Sequence, residues 1–172
     1  VLDDGRWRSF TADDGLVSDM VATVKADGEG SVWCGTWGSG VSRYDGGRLE
    51  VWTRADGLPS DGVMSVDTDT SGGIWIGTWE GASYCARADR AVAAFRHLTD
   101  SQGLPASNVW GVLVDRQDRV WLEVRGRDGF PAPGLPCWSG RHLTVYGPAD
   151  GLPALQVRGL GEGTDGRIWC GT

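Results

Sequence analysis

The sequence has almost no lysine: Lys25 is its only one, and 16 basic side chains face 23 acidic ones for a formal charge of -7. A chain without a clustered positive patch has nothing to lay along a phosphate backbone, so nucleic acid is not an expected partner. Nowhere does an apolar run approach the roughly 20 residues of a bilayer crossing. A 40% hydrophobic composition is too rich for a disordered tail. The four cysteines, Cys34, Cys85, Cys137 and Cys170, form no Cys-x-x-Cys pair, and His97 and His142 lie far from them in sequence. Zinc and redox motifs are therefore missing. Aspartate-bearing turns offer one or two carboxylates each, short of a calcium set, so neither a metal nor a cofactor is expected. Also lacking is any sustained 3.6-residue apolar period of helical length. The chain opens on Val1 with no basic segment leading into an apolar stretch, which reads as a soluble globular piece whose start or export signal has been removed.

What is abundant is glycine and tryptophan, 28 and 10 residues of 172. Many tight turns with many large flat side chains point to an all-β fold. The Gly-Leu dipeptides at Gly15, Gly57, Gly103 and Gly151 each have a tryptophan eighteen residues after the glycine: Trp33, Trp75, Trp121 and Trp169. Six residues after each glycine comes a valine, at Val21, Val63, Val109 and Val157. Successive units are displaced by 42, 46 and 48 residues, a period that belongs to propeller blades or solenoids. The first unit reads as four short strands, Val21 to Ala26, Ser31 to Trp37, Val41 to Tyr44 and Arg48 to Thr53, each bounded by turn residues. Helical repeats are thereby disfavoured, and the expectation is a β-propeller of four-stranded antiparallel blades.

A four-stranded sheet cannot hide both of its faces, so blades must stack, and the four recurring tryptophans are expected to supply the structural contact. The glycines after them (Gly35, Gly77, Gly171) leave room for close packing, and Asp27, Asp69 and Asp115 suit turns that bond their own backbone. Cys34 and Cys170 take the blade position of Ile76 and Leu122 and read as small apolar residues. One domain spans residues 1–172, with repeats at about 12–53, 54–99, 100–147 and 148–172, and residues 1–11 as the last strand of an incomplete blade. This makes three complete blades plus a partial fourth. The open faces that result must be covered: by further blades of a longer propeller, by a second copy that completes a ring of about eight blades, or by closure as a small four-bladed ring.

The stretches Asp56-Gly57-Leu58-Pro59, Ile74-Trp75-Ile76-Gly77-Thr78 and Gly40-Val41-Ser42-Arg43-Tyr44 resemble the two-component regulator propeller repeat, and the likeness covers essentially the whole chain. Such repeats build the periplasmic sensor propellers of bacterial hybrid two-component receptors, many of which respond to oligosaccharides, and they occur in other exported bacterial proteins. The resemblance implies a periplasmic or extracellular location and a noncatalytic ligand-binding or sensor module, a fragment of a larger protein. A structural, self-assembling propeller piece is the alternative.

Recognition is expected where the copies diverge, because shared positions serve the blade. Flanking the shared valine on the innermost strand are Met20, Gly62, Asn108 and Gln156 before it and Ala22, Met64, Trp110 and Arg158 after it. Met64, Asn108, Trp110, Gln156 and Arg158 are thus candidates for a mixed aromatic and hydrogen-bonding surface at the channel mouth, suited to an oligosaccharide or another polar small ligand. In the third unit Glu123-Val124 replaces Gly-Thr and the next hairpin lengthens, which adds Arg125, Arg127 and Phe130. Trp37 and Trp79 recur and are read as packing residues. The enzyme alternative, a propeller glycosidase or lyase, would need acid pairs such as Asp61 with Asp69 or Asp19 with Asp27. Those carboxylates sit at repeated turn positions with no nucleophile or base beside them, so no catalysis is expected.

Overall fold

The computed structural model describes residues 1–86, 95–126, 134–153 and 156–172 and is built almost wholly of short antiparallel strands. After β1 (Leu2–Asp3) and β2 (Arg6–Trp7) come β3 (Val21–Ala26), β4 (Val32–Thr36), β5 (Val41–Tyr44) and β6 (Leu49–Trp52). The second sheet holds β7 (Val63–Thr68), β8 (Ile74–Thr78), β9 (Gly81–Cys85) and β10 (Arg96–Leu98). A third holds β11 (Asn108–Val114), β12 (Val120–Arg125), β13 (Leu135–Trp138) and β14 (Leu143–Tyr146). Last are β15 (Gly159–Glu162) and β16 (Ile168–Gly171). Each of the three four-stranded sheets is a simple meander in chain order, and β1–β2 and β15–β16 are two-stranded ladders. The protein is a β-propeller segment of three complete blades plus a partial fourth. Residues 1–11 contribute two short strands where one was expected: Leu2 pairs with Trp7 as Tyr44 pairs with Leu49, so β1 is the end of a third strand and β2 the start of a fourth.

The Gly-Leu signature marks the passage from one blade to the next. A single 3-10 turn follows Thr11, Thr53, Thr99 and Gly147, and ends on Gly15, Gly57, Gly103 and Gly151 at φ 103, 106, 97 and 92. Only glycine takes that left-handed backbone without strain. The turn is held from its start, where the Asp14, Asp56 and Asp150 carboxylates and the Gln102 amide oxygen accept from the backbone N–H that opens it. The leucine that follows donates back across the turn, as Leu58 does to the Thr53 carbonyl at 3.2 Å.

Three apolar cores lie between blades. Trp33 and Trp52 pack with Val63, Val66, Ile74 and Ile76 of the second blade, Trp75 packs with Val109, Val112 and Leu122 of the third, and Trp121 with Val157 of the fourth. Trp33, Trp75 and Trp121 are 2%, 8% and 7% exposed, but Trp169, expected to pack in the same way, is 65% exposed. The turn before Trp169 has Gly163 where the other blades have aspartate. In the complete blades the turn aspartates do more than bend the chain: the Trp33 and Trp121 indole N–H groups donate to Asp27 and Asp115 at 3.0 and 2.9 Å. Thr36 and Thr78 are fully buried, their hydroxyls donating to the carbonyls of Gly40 and Gly81 and so locking the hairpin that follows.

Polar rungs tie the innermost strands together. Asp67 receives Lys25 Nζ from the first blade at 2.6 Å and the Val114 N–H from the third at 2.8 Å, so one buried carboxylate joins three blades. On the turns between first and second strands Thr70 donates twice to Asp118, and Arg116 donates to the carbonyls of Gly163 and Thr164.

Burial opposes the charge on Asp115, but the Trp121 indole, the Arg119 guanidinium and the backbone N–H groups of Gln117 and Arg119 outweigh it and hold the carboxyl below the usual aspartate range. Asp69 is lowered in the same way: burial works against it, and Ser71, Gly73 and Tyr84 overcome that cost. A depressed folded pKa gives stability that is complete above the unfolded value of about 3.9 and is lost as pH falls through the folded value. Chemical denaturation between pH 6 and 2 should therefore show a steep loss below about pH 4, and Asp115→Asn should flatten that limb; an unchanged acid limb in the variant contradicts the assignment. In the same assay Trp75→Ala should cost about 3–5 kcal/mol, because it empties the core between two blades, and half-exposed Trp79→Ala no more than about 1 kcal/mol.

Candidate functional site

The innermost strand of each of the three complete blades skips one residue against its partner, between Val21 and Thr23, Val63 and Ser65, and Val109 and Gly111. The unpaired residues are Ala22, Met64 and Trp110, and a bulge of this kind re-aims the side chain it frees. At the same end of the sheet the chain leaves the second strand: the Trp37 N–H donates to the Met20 carbonyl and the Trp79 N–H to Gly62, at 3.2 and 3.1 Å. The Arg158 N–H closes the fourth unit on Gly171 at 2.8 Å. These bonds gather the divergent positions of all four units onto one end of the blade stack.

Trp37 and Trp79 are 41% and 40% exposed there, so their recurrence reflects a repeated blade end and not burial, and the packing role expected of them is corrected. The third blade has Arg125 at their position. Its guanidinium lies 4.1 Å over the Trp110 ring, and Trp110 meets Trp37 edge-on, with centroids 5.9 Å apart and planes at 75°. Residues two blades apart thus touch. Glu123 fixes the arrangement: it is 6% exposed and accepts from Arg125 Nε at 3.1 Å. Room for it comes from Gly111, opposite it in the ladder, where the first and second blades have Thr23 and Ser65; a Cβ on Gly111 would stand 3.0 Å from that of Glu123. Gly62 serves Trp79 similarly, since a Cβ there would lie 2.4 Å from the indole.

Of the residues singled out from sequence, Asn108, Trp110 and Arg125 come together with Trp37, and Gln156 and Arg158 follow one unit further round, joined by an Arg158 to Gln156 hydrogen bond of 3.1 Å. Met64 is 8% exposed and contributes packing rather than surface. Arg127 and Phe130 lie outside the described residues. The buried Asn108 Oδ1 and Trp110 Nε1 have no protein partner among the described residues, one acceptor and one donor within one strand. Unpaired buried polar atoms are costly, so this strand end is a place where hydrogen-bonding capacity is left unspent.

The carboxylates considered for catalysis have structural work. Asp19 and Asp61 each accept a backbone N–H of the blade crossover, from Ala12 and Arg54, at 2.7 Å. Asp27 and Asp69 hold their own turns. A polar cavity of about 710 Å³ opens at the opposite end of the first two blades beside Asp27, Glu29, Arg43 and Asp69. Its aspartates are committed to turn N–H groups. Ser83 Oγ and His97 Nδ1 are 3.0 Å apart, yet Ser83 is fully buried and cannot meet a substrate. Among the described residues no two cysteines form a disulfide, and burial pushes the Cys137 thiol up to about 11.

No family model and no curated protein matches the chain. Solved structures do. The extracellular domain of BT3049 from B. thetaiotaomicron, named as a hybrid two component system, superposes with a TM-score of 0.77 at 19% identity over 95% of this chain and 22% of that one. The extracellular domain of BT4673 from the same organism gives 0.73 at 19% identity, over 91% of this chain and 22% of that one. Catalytically inactive virginiamycin B lyase from Staphylococcus aureus, with quinupristin, gives 0.66 at 16% identity over 87% of this chain and 48% of that one. The chain therefore spans about a fifth of the first two proteins' domains and about half of the lyase. At these identities the likeness is one of fold, and it agrees with the propeller repeat read from the sequence.

Gly62→Ala tests how the face is built. The variant should keep its far-ultraviolet circular dichroism and change its near-ultraviolet spectrum as the Trp79 ring is displaced; an unaltered near-ultraviolet spectrum contradicts the close contact.

Proposed function

We propose that the chain is a noncatalytic ligand-binding segment of an exported sensor propeller, and that it takes a polar, hydroxyl-rich small ligand, with oligosaccharides as the class that fits best. The observation behind this reading is the contact of Trp37 with Trp110 at one end of the blades, where Trp79 is also half-exposed, beside the unpaired donor of Trp110 and acceptor of Asn108. Flat, half-exposed rings suit the C–H faces of a sugar, and the buried polar atoms left without a protein partner add unspent hydrogen-bonding capacity beside them. Arg158, exposed beside Gln156, adds a further donor at the rim. Support for a sensor role and for a place outside the cytoplasm comes from the extracellular domains that share the fold.

The lyase among the fold neighbours favours a catalytic second reading. It ranks lower because the acids proposed for chemistry are engaged by backbone N–H groups. One experiment addresses both. Titration of the protein with a panel of neutral and acidic oligosaccharides, followed by tryptophan fluorescence and calorimetry, should give saturable binding to at least one member with the glycan recovered intact. Trp110→Ala and Trp37→Ala should each weaken that binding about tenfold or more, equivalent to about 1.4 kcal/mol, while Val145→Ala on the outer strand leaves it unchanged. Binding that is indifferent to Trp110, or no binding across the panel, contradicts the reading; a cleaved glycan revives the enzyme alternative.

A further inference from the structure

The departures of the third blade from the repeat converge on one side chain. In the first and second blades the position of Glu123 is held by Gly35 and Gly77, where a Cβ would stand 2.6 and 2.9 Å from a valine of the next blade. A carboxylate in so closed a place is costly unless a cation answers it. Arg125 answers it: its Nε and Nη2 both donate to Glu123 Oε1, with the two side chains 27% and 7% exposed. Glu123, Arg125 and Trp110 of the third blade and Trp37 of the first all belong to complete blades.

A guanidinium is planar, with donors along more than one edge. One edge of Arg125 is engaged by Glu123 and one face lies 4.1 Å from the Trp110 ring centroid. Among the described residues its Nη1 donates to none, which leaves that edge to a ligand lying against Trp37 and Trp110. The donor is free there, but the charge is not. An anion approaching that edge is attracted by the arginine and repelled by the carboxylate behind it, and the two effects oppose each other at similar range. A neutral hydroxyl or ring oxygen gives up much less hydration to accept the same N–H. The neighbouring charges act in the same sense: Asp19, Asp61 and Glu80 stand at this end, and Arg54 is paired to Glu80 at 3.2 Å. Arg158, bonded to Gln156, lies one unit further round.

We propose that Arg125 is the specificity-determining residue of the tryptophan face and Glu123 its positioning residue, and that the pair selects a neutral sugar over an acidic one. Glu123 aims the guanidinium and opposes its charge, so Arg125 offers a directed N–H to a hydroxyl or ring oxygen and little net attraction to a carboxylate. Discrimination then comes from a repulsive element as much as from a new contact. The inference rests on the glycan reading above and narrows it to one class.

Calorimetric titration with neutral oligosaccharides, and with uronic-acid counterparts of the same length and linkage, should show the unaltered protein preferring the neutral member of each pair. That comparison requires no variant to fold. Glu123→Gln keeps the shape and an acceptor oxygen but removes the charge, and should raise the ratio of acidic to neutral affinity about tenfold. Adding Arg125→Gln to Glu123→Gln should abolish that rise, a reversal that mere loosening of the blade would not produce. An unaltered protein that prefers the acidic members, or a ratio that does not rise in Glu123→Gln, overturns the proposal and leaves the glycan reading standing. Binding to neither series overturns that reading and the proposal with it.

Discussion

The structure depends on one contact: the indole of a second strand pressed between its own sheet and the first two strands of the next. The ring is large enough to fill the space between two flat sheets, and in the first and third blades its N–H is spent on the aspartate of its own turn. An indole held at both its face and its nitrogen has no freedom to slide. Among the described residues the apolar cores therefore lie between blades. Stability in such a stack is a sum over neighbouring pairs, and Trp169 shows what the same residue becomes where the neighbour is not among the described residues.

A contact used in every blade leaves little freedom at the positions that make it, and the ends of the strands are where the repeat departs. The bulge on the innermost strand of each complete blade frees one residue from the ladder, and the chain has placed alanine, methionine and tryptophan there. In the third blade three changes depend on one another. Glu123 stands where glycine stood, Gly111 gives up the hydroxyl side chain that would collide with it, and Arg125 replaces a tryptophan and turns over Trp110. A buried carboxylate would be expensive alone; paired with Arg125 it orients a guanidinium at the edge of the aromatic face.

Much of this was legible in the sequence. A fixed offset of eighteen residues between glycine and tryptophan sets blade number, strand order and the innermost strand without any coordinates. Recurrence shows equivalence but does not show depth. Trp37 and Trp79 recur because each blade has the same end, and that end is half in solvent. Trp169 shares the register of Trp33, yet burial at that register needs a following blade. The role of the Gly-Leu pair was hidden for another reason: the capping side chain varies between aspartate and glutamine, so the 3-10 turn leaves no single motif. The contact between Trp37 and Trp110 had no signal at all, because they occupy different repeat positions two blades apart and no offset relates them.

The most direct test of the central contact is the hydrogen exchange of the indole N–H groups, resolved residue by residue by nuclear magnetic resonance. Trp33 and Trp121, buried and bonded to Asp27 and Asp115, should exchange far more slowly than Trp37 and Trp79, which share the same strands or their equivalents but stand at the exposed end. Equal and rapid exchange at all four would show that the blades are not held together through these rings.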